Sequence, residues 1–304
     1  MPRNKNNNPR RFRPDVIESF TATSDTTLLE FLFSAMPDRK RTAVKQLLAH
    51  NQVAVNGIPT RQFDTPVPAG AVVDVNFSRE FRVFSHRRLK IVYEDEYIIV
   101  VNKGYGLLSM ATDNDRGAET AYSILREYLK WQNPANRLFI VHRLDRDTSG
   151  LMMFAKTEEA KIAMQHNWNN MVLSREYVCV VEGTPDPAEG IIRNYLAENS
   201  KHEMYVTDNP DEGQLAVTRY STIKSRNGYS LLKVNLNTGR KNQIRAHMAS
   251  IGCPISGDRK YGGNSNRIYR LALHARTLHF AHPITRKEML FELPIPNGLL
   301  NLVR

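Results

Sequence analysis

The chain has 304 residues, 41% of them hydrophobic, enough for two domains with sizeable cores. Its 42 lysines and arginines outnumber its 31 aspartates and glutamates, and the formal net charge of +11 favours a polyanionic partner over an acidic protein or a neutral metabolite. No run approaches the ~18 to 20 apolar residues of a membrane span, and the polar start is unlike a signal peptide, so a soluble, cytoplasmic protein with no membrane partner is expected.

Residues 1 to 14 are rich in asparagine and carry Arg3, Lys5, Arg10, Arg11 and Arg13. A segment of this composition is expected to be disordered in isolation, either as a plain basic tail or as an arm that orders on a phosphate backbone. Thr27-x-x-Glu30 has capping-box spacing ahead of Phe31-Leu32-Phe33, which predicts a helix start. A second helix is predicted from about Arg39 to His50, with Val44, Leu47 and Leu48 as its apolar stripe. Arg39, Lys40 and Arg41 crowd its first turn and Lys45 follows, so cations sit at the wrong end of the helix dipole. A bound phosphate would reverse that penalty; a solvated basic turn partly offset by Asp38 is the plainer alternative. Gln52 to Val55 alternates like a strand and ends in Asn56-Gly57, a two-residue hairpin signal, with Val73 and Val75 opening a partner strand.

Residues 77 to 88 carry Arg79, Arg82, His86, Arg87 and Arg88 without periodicity and read as a linker. Leu89 to Tyr93 and Tyr97 to Val101 form an antiparallel hairpin around Glu94-Asp95-Glu96. Further strands are predicted at Leu151 to Ala155, Tyr177 to Val181, Ala216 to Ile223, Leu231 to Leu236 and Arg270 to Leu273. Helices are predicted near residues 119 to 131, 158 to 167 and 242 to 250, the last ended by Gly252. The fold class is α+β, with a mainly antiparallel mixed sheet flanked by helices. The expected divisions are a tail (1 to 14), a small N-terminal α/β module (15 to 76), a linker (77 to 88) and a larger C-terminal domain (89 to 304).

The run Val141-His142-Arg143-Leu144-Asp145-Arg146-Asp147-Thr148-Ser149-Gly150 sets one carboxylate, Asp145, between two arginines, just before the apolar run at Leu151. A carboxylate beside guanidinium groups is held ionised and fixed in direction, which describes a nucleophile or an anchor; Asp145 and Asp147 capping a turn with surface-paired arginines is the plainer alternative. Cys179 and Cys253 are far apart and outside Cys-x-x-Cys spacing, so they are expected to be buried apolar residues rather than zinc ligands or a disulfide. His274, His279 and His282 lack the spacing of a helical metal site and are expected to be structural. No Gly-rich phosphate loop is present, so no nucleotide cofactor is expected.

His142-Arg-Leu-Asp-x-x-Thr-Ser-Gly150 resembles the signature of the RluA family of RNA pseudouridine synthases. Asn102-Lys103-Gly104-Tyr105-Gly106-Leu107, Arg175-Glu176-Tyr177 with Val181-Glu182-Gly183, and Thr238 to His247 with Gly257-Asp258 and Tyr261-Gly262 are similar to further blocks of that family, in family order. Leu273-His274-Ala275, Leu278-His279-Phe280 and His282-Pro283 resemble its closing strand pair, so the similarity covers roughly residues 88 to 296. Gly104 stands where the family usually has proline, which would loosen a turn, and Asn242 stands where it usually has histidine. Over residues 26 to 76, two small helices followed by Val-x-Val-Asn-Gly resemble the S4 RNA-binding module, with Asn51 where glycine is usual.

The resemblance implies the pseudouridine synthase fold, no cofactor and no metal, and conversion of uridine to pseudouridine in structured RNA, most naturally large-subunit ribosomal RNA, by a monomer. It implies Asp145 as the catalytic carboxylate, bonding to C1′ or abstracting a sugar proton. Arg245 would be its cationic partner, Tyr177 the catalytic-site ring that stacks on the target base, with or without a part in C5 deprotonation, Leu273 the apolar residue beside it, and Arg143 the side chain that enters the RNA. Asp147, Thr148 and Ser149 would hold the turn through side-chain-to-backbone hydrogen bonds. Alternatives are transfer RNA as the substrate, a catalytically silent RNA-binding or ribosome-assembly protein, or a glycosidase that releases the base.

Overall fold

In the computed structural model the described chain divides into two compact units, the first ending at Phe84 and the second spanning Ser85–Arg304. The described residues are 15–81, 83–111, 117–200, 202–264 and 267–304, so the basic tail at 1–14 and Arg82 of the expected linker lie outside them.

The first unit forms because two short amphipathic helices bury their stripes on a small sheet. Strand β1 (Ile17–Thr21) and the short β2 (Thr26–Thr27) lead into α1 (Leu28–Ala35), and α2 (Arg41–Ala49) follows. Thr27 is the N-cap residue of α1, but its hydroxyl donates to the Glu30 carboxylate at 2.9 Å instead of capping the backbone. Helix α2 starts at Arg41, later than expected, because Lys40 is held at ψ 135° and serves as its cap. Val44, Leu47 and Leu48 join Leu28, Leu32, Val53, Val73 and Val75 in one core. Asn56 and Gly57 are both left-handed, with φ of 48° and 75°, as a two-residue hairpin turn requires between β3 (Val53–Val55) and β4 (Ile58–Pro59). After β5 (Pro66–Val67), β6 (Val72–Asn76) pairs with β3 as the sequence predicts, Val53 opposite Val75, giving the order β1-β6-β3-β4. Sequence reading missed β1, whose residues are almost all exposed and show no apolar alternation.

The expected linker is narrower than residues 77 to 88. Phe77 packs on the first core, Arg79 pairs with Asp15 at 2.6 Å and the Phe81 amide donates to the Asn51 carbonyl. From the other end, His86 and Arg88 both reach Glu119 in the second unit.

The second unit is built on strands β7 (Leu89–Glu94), β8 (Ile98–Lys103), β9 (Phe139–Ile140), β10 (Ser149–Ala155), β11 (Val172–Glu182), β12 (Glu189–Glu198), β13 (Met204–Thr207), β14 (Gln214–Arg226), β15 (Tyr229–Leu236), β16 (Leu273–Ala281) and β17 (Glu288–Glu292). Its main path runs β13-β12-β14-β15-β11-β16-β10-β8-β7, antiparallel except where β10 lies parallel to β16. Helices α3 (Ala121–Gln132), α4 (Glu158–His166), α5 (Trp168–Met171), α6 (Gln243–Ser250) and α7 (Asn297–Leu300) complete it, the longer three where the sequence predicts them. Gly252 follows α6 with φ 73°. Every residue of β10 is buried, which is why this central strand reads as an unbroken apolar run. The last predicted strand is corrected: β16 begins at Leu273 rather than ending there, because the preceding Ala272 amide donates to Ser256 in a loop.

Candidate active site

The signature turn between β9 and β10 is held mainly through its backbone. The Ser109 hydroxyl donates to the Leu144 carbonyl at 2.6 Å and lies 3.1 Å from the Leu144 amide, which donates back to it. His142 Nε2 accepts the Met153 amide at 2.9 Å, and burial pushes its imidazole down to about 3, so the ring is neutral and free to accept. Beneath the turn lies Lys103, fully buried, whose ammonium donates to the carbonyls of Leu107 at 2.7 Å, Arg146 at 3.1 Å and Gly104 at 3.2 Å. Ser149 does not brace the backbone as expected; its hydroxyl accepts from Arg270 Nη2 at 2.7 Å and meets His274 Nδ1 at 2.8 Å.

This frame leaves the Asp145 side chain 25% exposed at the edge of a cavity of about 500 Å³. Arg143, Tyr177, Arg245 and Leu273 line the same cavity, so the second-unit residues singled out in the sequence come together. The pairing of Asp145 differs from expectation. Arg146 turns its carbonyl to Lys103, and Arg245 approaches only to 3.9 Å, at the limit of an ion pair. Burial raises the Asp145 pKa above the ordinary carboxylate value, although Arg245, Arg143 and Lys103 pull the other way.

Arg245 sits back because its fork is already occupied. Its Nε and Nη2 each donate to one oxygen of the fully buried Asp258 carboxylate at 2.7 Å, and Nη1 donates to Asn242 Oδ1 at 3.1 Å. Asn242 adopts φ 50° at the start of α6, a left-handed conformation that asparagine tolerates better than most residues. The arginine is therefore fixed before anything binds, with a nitrogen facing Asp145. Lys103 and Asp258 lie inside family-like blocks of the sequence, but sequence alone gives neither a role. The only signal was their presence beside the glycines of those blocks.

Tyr177 is buried, and burial raises its phenol above the ordinary value, so it stays protonated. Arg39, Lys40, Arg41 and Lys45 belong to the first unit and are exposed around the start of α2. There Arg39 lies 4.0 Å over the Phe77 ring and Arg41 lies 4.9 Å over Phe33. Each C-terminal histidine has its own partner: His274 with Ser149, His279 with Glu288 and His282 with Asp95. Cys179 and Cys253 are both free and buried. Among the described residues no group of three or more His, Cys, Asp or Glu could hold a metal ion, and no helix is long and apolar enough to cross a membrane.

A family model described as RNA pseudouridylate synthase matches residues 97–250. The chain is 32% identical to an uncharacterised RNA pseudouridine synthase, YlyB, of Bacillus subtilis (strain 168), over 90% of this chain and 92% of that protein. It is also 32% identical to ribosomal large subunit pseudouridine synthase D of Vibrio cholerae serotype O1, over 87% of this chain and 86% of that protein. Among solved structures, the human RNA pseudouridylate synthase domain containing 4 protein shares the fold, with a TM-score of 0.57 and 24% identity over 69% of this chain and 90% of that one.

Proposed function

Since this chain belongs to the RluA family of RNA pseudouridine synthases and is an enzyme of that kind, we propose that it isomerises uridines of large-subunit ribosomal RNA, with Asp145 as the catalytic carboxylate. The observation that carries the assignment is the pre-fixed Arg245 facing Asp145 in a cavity that also presents Tyr177 and Leu273. The ribosomal substrate rests on similarity to large-subunit synthases over most of both chains.

The isomerisation breaks the C1′–N1 bond, turns the uracil, joins C5 to C1′ and then breaks the C5–H bond, the C5 proton leaving to water while N1 takes one up, with no redox change. A uridine in folded RNA must first leave its stack, at a cost of about a few kcal/mol, and Arg143 at the cavity mouth supplies a planar cation to fill the gap. The flipped base lies between the Tyr177 ring and Leu273. Asp145 then either bonds to C1′ as uracil departs or takes a sugar proton, and both routes need the ionised form. Arg245 opposes the desolvation that would protonate it, and because Asp258 and Asn242 hold that arginine, little reorganisation is needed during reaction. Tyr177, being protonated, acts as a wall for the base more than as a proton acceptor. The first unit serves as an S4-like RNA-binding module, its exposed cations gripping phosphates.

The test is tritium release from RNA labelled at uracil C5, using ribosomal and transfer RNA pools from cells lacking the enzyme. Native protein should release tritium from the ribosomal pool, whereas Asp145→Asn should release none while binding RNA within severalfold of native affinity. Normal turnover by the variant would remove Asp145 from the chemistry, and release from the transfer RNA pool alone would overturn the ribosomal assignment.

A further inference from the structure

The cavity has room beyond the target base. Its volume of about 500 Å³ lies within the ~300 to 1,000 Å³ of clefts that enclose drug-sized molecules, well beyond one pyrimidine ring. Asp145, Tyr177, Arg245 and Leu273 account for one part of it. Trp168, Arg175, Gln165 and Asn169 also line it, with Asn237 and Arg240 from the loop before α6, and the reaction as derived above uses none of them.

Strand β11 relates the two parts. Arg175 and Tyr177 alternate with Glu176, so both face the cavity about 7 Å apart along the strand, while Glu176 turns away to pair with Lys233 and Arg276. Trp168 is half-buried, packed against the core of Ile98, Val100, Met153 and Phe280, and still contributes to the cavity wall. The Arg175 guanidinium lies over its ring, 5.6 Å from the centroid, and the His142 ring lies 5.1 Å from it, tilted by 45°. The guanidinium also sits close to Gly239 of the loop before α6, where an added Cβ would lie 2.8 Å from its Nη1. An indole backed by core, an arginine that covers it in the free protein and two exposed carboxamides make a wall suited to an unstacked nucleobase: a π-face once the guanidinium moves aside, donors and acceptors for its edge, and a cation for the adjoining phosphate.

We propose that the Trp168 side of the cavity is a second nucleobase site, which receives the base next to the target uridine in the RNA strand and stacks it on Trp168 in the place the Arg175 guanidinium holds in the free protein. The proposal rests on the reading of Asp145 as the catalytic carboxylate, because that reading places the target base at Tyr177 and its neighbour one strand step along β11. Flipping then removes a short run of RNA from its stack, and the neighbour's identity contributes to target choice.

Once the modified uridine is mapped, the probe is a synthetic RNA stem-loop containing it, compared with two stem-loops lacking the base on its 5′ or 3′ side. Tritium release from the intact stem-loop by native enzyme tests the functional reading, and its absence defeats that reading before Trp168 is considered. Given release, native kcat/KM should fall about tenfold on one of the two abasic RNAs, the scale of one base–aromatic stack. Trp168→Leu should show the same loss on intact RNA and almost no further loss on that abasic RNA, while Trp168→Phe should recover most activity. Native activity insensitive to both missing bases, or equal losses by Trp168→Leu on all three RNAs, would overturn the proposal. The chain has two tryptophans, so Trp131→Phe leaves Trp168 as the only indole and gives a measurement that does not depend on the fold of a Trp168 variant. The intact stem-loop should quench its fluorescence more than the responsive abasic RNA does at saturation, and equal quenching would overturn the proposal.

Discussion

At the scale of single residues, the two departures from the family pattern are accommodated rather than merely tolerated. Gly104 was expected to loosen its turn, yet its amide donates to the Arg88 carbonyl at 2.7 Å, a bond that proline cannot make. A Cβ there would lie 3.0 Å from that carbonyl oxygen and 3.2 Å from the Arg88 Cα. Gly104→Pro should therefore destabilise the protein by about 1 to 3 kcal/mol, through a lost hydrogen bond and crowding, read as a lower urea midpoint. A neutral result would mean that Arg88 relaxes freely. Next to it, burial pushes Lys103 from the ordinary 10.5 down to about 7, against the pull of Asp145 and Asp147. Between those values the unfolded chain binds the extra proton, so stability should rise with pH from about 7 toward 10.5. Urea midpoints at pH 7, 8 and 9 should climb in the native protein and climb less in Lys103→Met. Parallel slopes would assign the titration to other groups.

At the scale of elements, the active-site turn depends on the β10–β16 junction, where Gly150 stands opposite Ala275 with φ 119°. A Cβ at that position would fall 2.1 Å from the Ala275 carbonyl oxygen, so even alanine must part the two strands. Gly150→Ala should cost several kcal/mol, by strain at a left-handed residue and by disrupted packing, and should displace Asp145 from Arg245 in any surviving fold. A variant with native stability and native turnover would show that the junction is more compliant than its geometry implies. Which elements were legible follows from the same physics. The Asn56-Gly57 turn and β10 announce themselves because a turn type and a fully buried strand each restrict residue choice locally. Strands β1, β12 and β13 do not: their burial patterns alternate poorly, and they are defined by the strands they pair with. The candidate site divides in the same way. Asp145, Tyr177, Arg245 and Leu273 could be picked out from family-like blocks, whereas the Arg245–Asp258 fork and the Lys103–Arg146 bond appear only when segments 13 and 43 residues apart are folded together.

At the scale of the whole molecule, the net charge of +11 is divided between tasks that can be separated by experiment. In the second unit, Arg143 and Arg245 line the cavity and act on the Asp145 carboxylate. In the first unit, Arg39, Lys40, Arg41 and Lys45 are exposed at the start of α2, where cations oppose the helix dipole unless an anion is bound. Phosphate binding contributes to affinity by releasing counterions, which makes the slope of log K against log salt a count of the phosphates neutralised. Replacing these four residues together by glutamine should weaken RNA binding and reduce that slope by as much as about 3, at roughly 0.7 for each single-strand phosphate no longer neutralised. The maximal turnover rate at saturating RNA should stay near native, because the carboxylate and its arginine belong to the other unit. A slope equal to that of the native protein would remove the first unit from the electrostatic grip and assign the salt dependence to the cations of the second. A fall in turnover at saturation would instead mean that the module sets the register of the RNA in the cavity as well as its affinity.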